Sequence, residues 1–243
     1  MQHRLVVARL VQLQHVPPAL WLAGVAWLVL VAFSLTGNGA VIRHDRLLQG
    51  GPPLWLATIL FVGGWQVMLL AMMVPASLHA FSLAGGGRRI ALFTGGYLLA
   101  WTLFGLLIFF LDVGVHATVN HWAWLAGHPW LIAGTTLVLA GTYQLSDLKA
   151  RSLAACRRVN HARGAATSAR AGAVHGLKCV GSSWGLMLVA FALAAGNVLT
   201  MAAITLLMAW EVTPWGASAV KVTGYALVAL GAFVLVGPVP SPV

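Results

Sequence analysis

Cys156 and Cys179 are the only two thiols in the 243 residues. His175 stands four positions before Cys179, so on a helix the two side chains share a face, as a chelating pair requires. With Cys156 alongside, two thiolates and an imidazole suit Cu(I) or Zn(II). The same residues also fit a plainer role, as reduced thiols in a reducing compartment.

Thioether sulfur extends the soft-ligand set. At about 100° per residue, Trp65, Met68, Met72, Pro75 and His79 fall on one stripe of a helix. Asn197, Met201, Ile204, Met208 and Glu211 form a second stripe. Counting from the centres of two spans that run in opposite directions puts Met68, Asn197 and Met201 at a common depth. Met68, Met72 and Met201 then read as a path for Cu(I), which soft sulfur selects. Methionine is equally a gap-filler in helical packing.

A second candidate site gathers Asp112, His116, His121 and His128 in a stretch without Lys or Arg, a set suited to Zn(II) or Cu(II). Trp122, Trp124 and Trp130 around it equally suggest interfacial anchors. Glu211 and Lys221 are charges within or beside apolar runs, and an intramembrane charge needs a partner. The expectation is a structural ion pair. Catalytic chemistry finds no support: Gly181-Ser182-Ser183-Trp184 lacks the final Gly of an intramembrane serine nucleophile and no His follows His175. No nucleotide loop or H-E-x-x-H occurs. No catalytic residue is assigned.

The elements that must position these groups follow from composition. Sixty per cent of residues are hydrophobic and 7% charged, against about 25% charged in a soluble chain. Six apolar stretches stand out, near 20–36, 54–81, 90–111, 130–145, 182–210 and 215–237, most of them reaching or approaching the roughly 20 residues that cross a bilayer. Backbone groups in lipid must be satisfied internally, so the expected class is all-α, a polytopic bundle of about six transmembrane helices. Trp21 and Trp27 favour a retained first helix over a cleaved signal.

Basic residues set the orientation. Arg4, Arg9, Arg88, Arg89 and the loop 147–178 place eleven Lys and Arg on one side, against Arg43 and Arg46 on the other. Both termini are therefore expected in the cytoplasm, in a multi-pass protein of the plasma (inner) membrane. The net charge of +10 reads as topology and affinity for anionic headgroups. The bilayer is the expected partner, with another membrane protein or a metalloprotein beside it. Nucleic acid is excluded for want of a soluble basic domain.

Three blocks of residues resemble a known family. Trp65, Met68, Ala71, Met72, Met73 and Pro75 form the first. Gly141, Tyr143, Gln144, Lys149, Cys156 and Arg157 form the second. Cys179, Gly181, Trp184, Met187, Asn197, Met201, Glu211, Pro214 and Gly216 form the third. Over Gly63 to Gly231 they resemble an uncharacterised bacterial family of predicted metal-binding integral membrane proteins. The resemblance implies a helical membrane fold and a metal, but no reaction. Ser152, Ser182 and Ser183 stand where the family pattern has further thiols, so any thiolate cluster is reduced here. Metal handling, with copper ahead of zinc, is the leading expectation. The alternative is a non-catalytic structural or assembly subunit working through close helix contacts at Gly63, Gly64, Gly95, Gly96, Gly181 and Gly185.

Overall fold

A computed structural model describes residues 16–36, 47–48, 52–84, 87–158, 165–194 and 197–237. Arg4, Arg9, Arg43, Arg46 and Arg163, which enter the charge count, lie outside them. The regular structure of the described residues is helical. In chain order it comprises α1 (Val16–Leu35), α2 (Leu54–Ala76), α3 (Leu78–Leu83), α4 (Arg88–His121), α5 (Ala123–Ala126), α6 (Pro129–Gln144), α7 (Asp147–Arg157), α8 (Ala165–Ala194), α9 (Val198–Val212) and α10 (Gly216–Val236). Four are long and apolar enough to cross a membrane: α2, α4, α8 over Ser168–Ala192, and α10. Leu20–Leu35 and Val198–Val212 are shorter apolar helices.

Local sequence accounts for most of the boundaries. Pro53 precedes α2 and Pro129 opens α6, positions where a missing amide hydrogen costs nothing. Ser146 caps α7 by accepting from the Lys149 amide at 3.2 Å. Gly87, at φ 60°, supplies the left-handed turn into α4. Pro75 lies in the last turn of α2, which ends two residues later where the Ser77 amide closes onto Met73 and Val74 carbonyls.

Three expectations about the elements change. The stretch 147–178 is not a loop: α7 fills 147–157 and α8 begins at Ala165, because both segments carry helix-forming Ala, Leu, Lys and Arg. The apolar run 182–210 is not one helix: α8 ends at Ala194 and α9 restarts at Val198, with the Asn197 side chain accepting from the Thr200 amide at 3.1 Å. Asn197 is thus an exposed cap rather than a polar group at mid-depth. An Asn prefers to cap backbone donors over lying unpaired in an apolar helix. The stretch 112–128 is also not a loop, because α4 runs on to His121.

Packing sets the helix directions. Where α4 crosses α8, a Cβ at Gly96 would collide with the Ala169 carbonyl and one at Gly172 with the Phe93 carbonyl, so these glycines let the backbones touch. Gly176 against Tyr97 and Ala100 continues the same register, and the two helices run parallel. α2 runs antiparallel to α4: the Trp65 indole donates to the Trp101 carbonyl at 2.9 Å, and Ser77 meets Tyr97 at the other end. α6 and α10 are antiparallel, with Gly134 against Gly231 and Leu235 and Gly141 against Gly224 and Val228. Of the glycines expected to permit close approach, Gly96 does so, whereas Gly63 and Gly95 face open space.

One end of the bundle therefore holds the C-terminus of α2, the N-termini of α4, α8 and α10, and α7. The core beneath it is aromatic and sulfur-rich. Phe61 stacks on Phe109 at 4.6 Å, Trp65 packs on Phe104 and Phe191, and Met68, Met72, Met73, Met187, Met201 and Met208 are all buried.

Candidate metal centre

Cys179 lies on α8 and Cys156 on the last turn of α7, and the bundle brings both into its interior as free thiols. The two lie close enough for Cys179 to act on the Cys156 thiol. Around Cys179 the Tyr97 hydroxyl stands 3.2 Å from Sγ and the Ser77 hydroxyl 3.8 Å, with Ser77 and Tyr97 themselves 3.2 Å apart. Ser182 and Ser183 donate back to the Cys179 carbonyl at 2.9 and 2.7 Å, and Ser183 also reaches the Met73 sulfur at 3.8 Å. Contact with Cys179, and then burial, push the Cys156 thiol above its ordinary range, so Cys156 is protonated at neutral pH.

His175 sits one turn before Cys179, stacked on Tyr97 with ring centroids 5.8 Å apart. It is 5% exposed, and neither ring nitrogen has a hydrogen-bond partner. It lines a cavity of about 540 Å³ together with Ser77, His79, Cys156, Arg157 and Pro214.

A buried polar network holds α7 in place. The Lys149 ammonium is paired with the Glu211 carboxylate at 2.6 Å and also donates to the Ser182 carbonyl. Gln144 donates to the other Glu211 oxygen at 2.5 Å. Lys149 is 0% exposed and Glu211 2%. Burial pushes the Lys149 ammonium below its ordinary range, and the neighbouring carboxylate works in the opposite direction. At the other end of α7, Arg157 donates to the carbonyls of Glu211 and Thr213 at 2.6 and 2.7 Å. A guanidinium there satisfies the orphan carbonyls that end α9 and complements its dipole.

Lys221 is therefore not the partner of Glu211. It is exposed on α10, while Lys149 occupies the carboxylate. The second site is not assembled either. His116 lies 3.4 Å from Asp112, but the ring nitrogens of His121 and His128 contact the carbonyls of Ala117 and Trp124 in their own turns, at 2.6 and 2.5 Å. His128 is further held between Trp124 and Trp130. The continuous helix from Arg88 to His121 keeps Asp112 and His116 together one turn apart but turns His121 about 140° away from His116.

Cys156, Cys179 and His175 do converge on one locality. Met68, Met72 and Met201 are buried in the core, where they pack with aromatic and aliphatic side chains. Ser182 and Ser183 lie against the thiols, and the Ser152 hydroxyl lies beside Gly181 two residues from Cys179. Among the described residues no three His, Cys, Asp or Glu side chains lie close enough to hold one ion. The donor set is thus two thiols. That falls short of the four ligands of a structural zinc site and fits a soft monovalent ion satisfied by two thiolates.

Lys149, Arg157, Gln144, Tyr97, Ser77 and Met73 were not singled out as site residues. Gln144, Lys149 and Arg157 were nonetheless visible in the second signature block, and Glu211 in the third. What the sequence did not reveal is that these blocks meet.

The described residues form an all-helical bundle with two buried thiols at one end. A family model described as PpoB2, copper chaperone, matches residues 62–234, well over half of the chain and the same stretch that carries the three signature blocks, and the chain belongs to this copper chaperone family. No curated protein and no solved structure matches it.

Proposed function

We propose that this chain is a multi-pass membrane protein that binds Cu(I) between Cys156 and Cys179 and passes it to another protein. One observation carries the site: the two thiols of the chain, 23 residues apart in sequence, are both buried and close enough to act on each other, beside a cavity and an unpartnered imidazole. Copper is cargo here. Bound as a bis-thiolate it would carry one negative charge. The Tyr97 and Ser77 hydroxyls lie beside the Cys179 sulfur and can donate to it once copper has displaced its proton. The copper description of the family supports the metal, and the two-thiol donor set favours Cu(I) over Zn(II).

Membrane insertion is supported by four helices of spanning length and by outward-facing Ile59, Leu103, Phe110, Leu206 and Phe233, a surface that lipid would cover. The end of α8 at Ala194 and the start of α9 at Val198 alter the topology we propose. α8 and α9 become separate crossings, giving seven with α1, α2, α4, α6 and α10. The thiol end remains on the basic, cytoplasmic side, and the C-terminus moves to the opposite side from the N-terminus. Lys221 then lies about 7.5 Å into α10 from the cytoplasmic end, within reach of headgroups for its long stem.

The experiment is Cu(I) loading of detergent-purified protein under reducing conditions, followed by competition with a chromophoric Cu(I) chelator. The expected result is stoichiometric copper that survives competition in the wild type and is lost in C156S/C179S. Equal retention by the double variant would place copper elsewhere and end this reading of the thiols.

A further inference from the structure

The cavity beside the thiols is far larger than a metal ion needs, and its chemistry is wrong for a naked cation. A single water takes about 30 Å³, whereas this cavity measures about 540 Å³, within the roughly 300–1,000 Å³ of small-molecule sites. Its walls carry the Arg157 guanidinium and the imidazoles of His79 and His175, and no acidic side chain. Two of the residues that line it, Arg157 and His175, carry buried nitrogens without hydrogen-bond partners: Nε of Arg157 and the ring nitrogens of His175. Buried polar groups left unpaired are costly, so these two side chains mark where a ligand's polar atoms belong. Cys156, the thiol that lines the cavity, is in reach of whatever occupies it.

We infer that the protein takes up copper as the Cu(I) complex of a small, carboxylate-bearing thiol, which this cavity binds through Arg157 and His175 before the metal moves to Cys156 and Cys179. This rests on the copper reading above and adds the form in which the cargo arrives. Such a carrier brings Cu(I) between two thiolates and is anionic. The transfer is a ligand exchange without redox change. Two copper–sulfur bonds to the carrier break and two to Cys156 and Cys179 form. The two protons leaving the cysteine thiols are taken up by the two carrier thiolates, which depart as neutral thiols. A guanidinium binds a carboxylate through paired, charge-assisted hydrogen bonds, and a one-signed cleft speeds capture of an oppositely charged ligand by about 10- to 1,000-fold.

The test compares two carriers. Cu(I) is offered to the purified protein as its glutathione complex, which bears carboxylates, and as its cysteamine complex, which bears ammonium groups. Each transfer rate is divided by the rate from the same carrier to a small neutral dithiol peptide, which removes differences in carrier affinity. The wild type should favour the glutathione complex by about tenfold or more, and H175A and R157Q should each bring the ratio of the two rates toward unity. That ratio cancels any change in copper affinity shared by both carriers. H175A keeps the test decisive if R157Q, which also loses its contacts to the end of α9, does not fold. Equal rates in the wild type, or a preference that survives both variants, would overturn the inference while leaving the copper site standing. Failure to take copper from either carrier or from a weak chelator would overturn the copper reading itself.

Discussion

The two ends of this bundle carry comparable chemical inventories and use them in opposite ways. At one end Ser77, Tyr97, Lys149, Arg157, Cys179 and Glu211, from five segments of chain, bond to one another across helices, with Cys156 and His175 packed among them. At the other end His121 and His128 bond to carbonyls in their own turns. Closeness in sequence produced the second group, and helix packing produced the first. A site is made by groups whose hydrogen bonds cross between elements, because only those are held in place by the fold as a whole.

The strongest way to break this contrast is through copper. Changing both Cys156 and Cys179 to Ser should remove tight Cu(I) binding, whereas changing His116, His121 and His128 together to Gln should leave it intact. Chelator competition reads both, and loss of binding in the histidine variant would reverse the roles of the two ends.

Stability should separate the ends nearly as sharply. Glu211→Ala leaves Lys149 buried without its counter-charge, and breaking a buried pair in this way costs about 3–5 kcal/mol. His121→Ala, on an exposed turn, should stay within about 0.5 kcal/mol. Thermal unfolding in detergent measures the difference, and similar shifts would mean that the buried network contributes no more than a surface contact. A double-mutant cycle sharpens the point. K149M with E211Q should show coupling of about 0.5–3 kcal/mol, while K221M with E211Q should be additive within about 0.5 kcal/mol.

A pH series gives a smaller effect. Cys156 is protonated in the free protein because its contact with Cys179 and its burial raise its pKa, and copper displaces that proton. Proton release on binding means that affinity rises with pH, by about tenfold per unit for each proton released. A flat profile of chelator competition between pH 6 and 8 would show that the thiols bind copper already deprotonated or not at all. The smallest effect is expected at Met201→Leu, which nearly conserves volume and should cost less than about 1.5 kcal/mol with copper affinity unchanged.

Much of the helical architecture was legible from apolar run lengths, and most run ends agree with helix ends to within a few residues. The run 182–210 was misread because hydropathy does not register a cap. Asn197 is one polar residue in an apolar stretch, and the side-chain bond that starts α9 is visible only as geometry. The site was half legible. Cys156, His175 and Cys179 were found from ligand chemistry, while the partner of Glu211 was misassigned to Lys221 because proximity in sequence and in the apolar run was the only guide. Lys149 reaches Glu211 through the return of α7 into the bundle. That return depends on Ser146 ending the turn after α6 and on Gly181 leaving space for Ser152.

The anchoring of α7 at both ends sets a clock for the dithiol. Lys149 ties its first turn to Glu211 and Ser182, and Arg157, adjacent to Cys156, ties its last turn to the end of α9. A thiol on an unanchored segment swings away from its neighbour by rotamer flips or loop motion, in picoseconds to microseconds. Here the backbone that carries Cys156 moves away from Cys179 only when α7 undocks, a local unfolding event of microseconds to seconds. Ligands that arrive through the cavity can exchange without that event, whereas a pair of thiols pulled apart must wait for it.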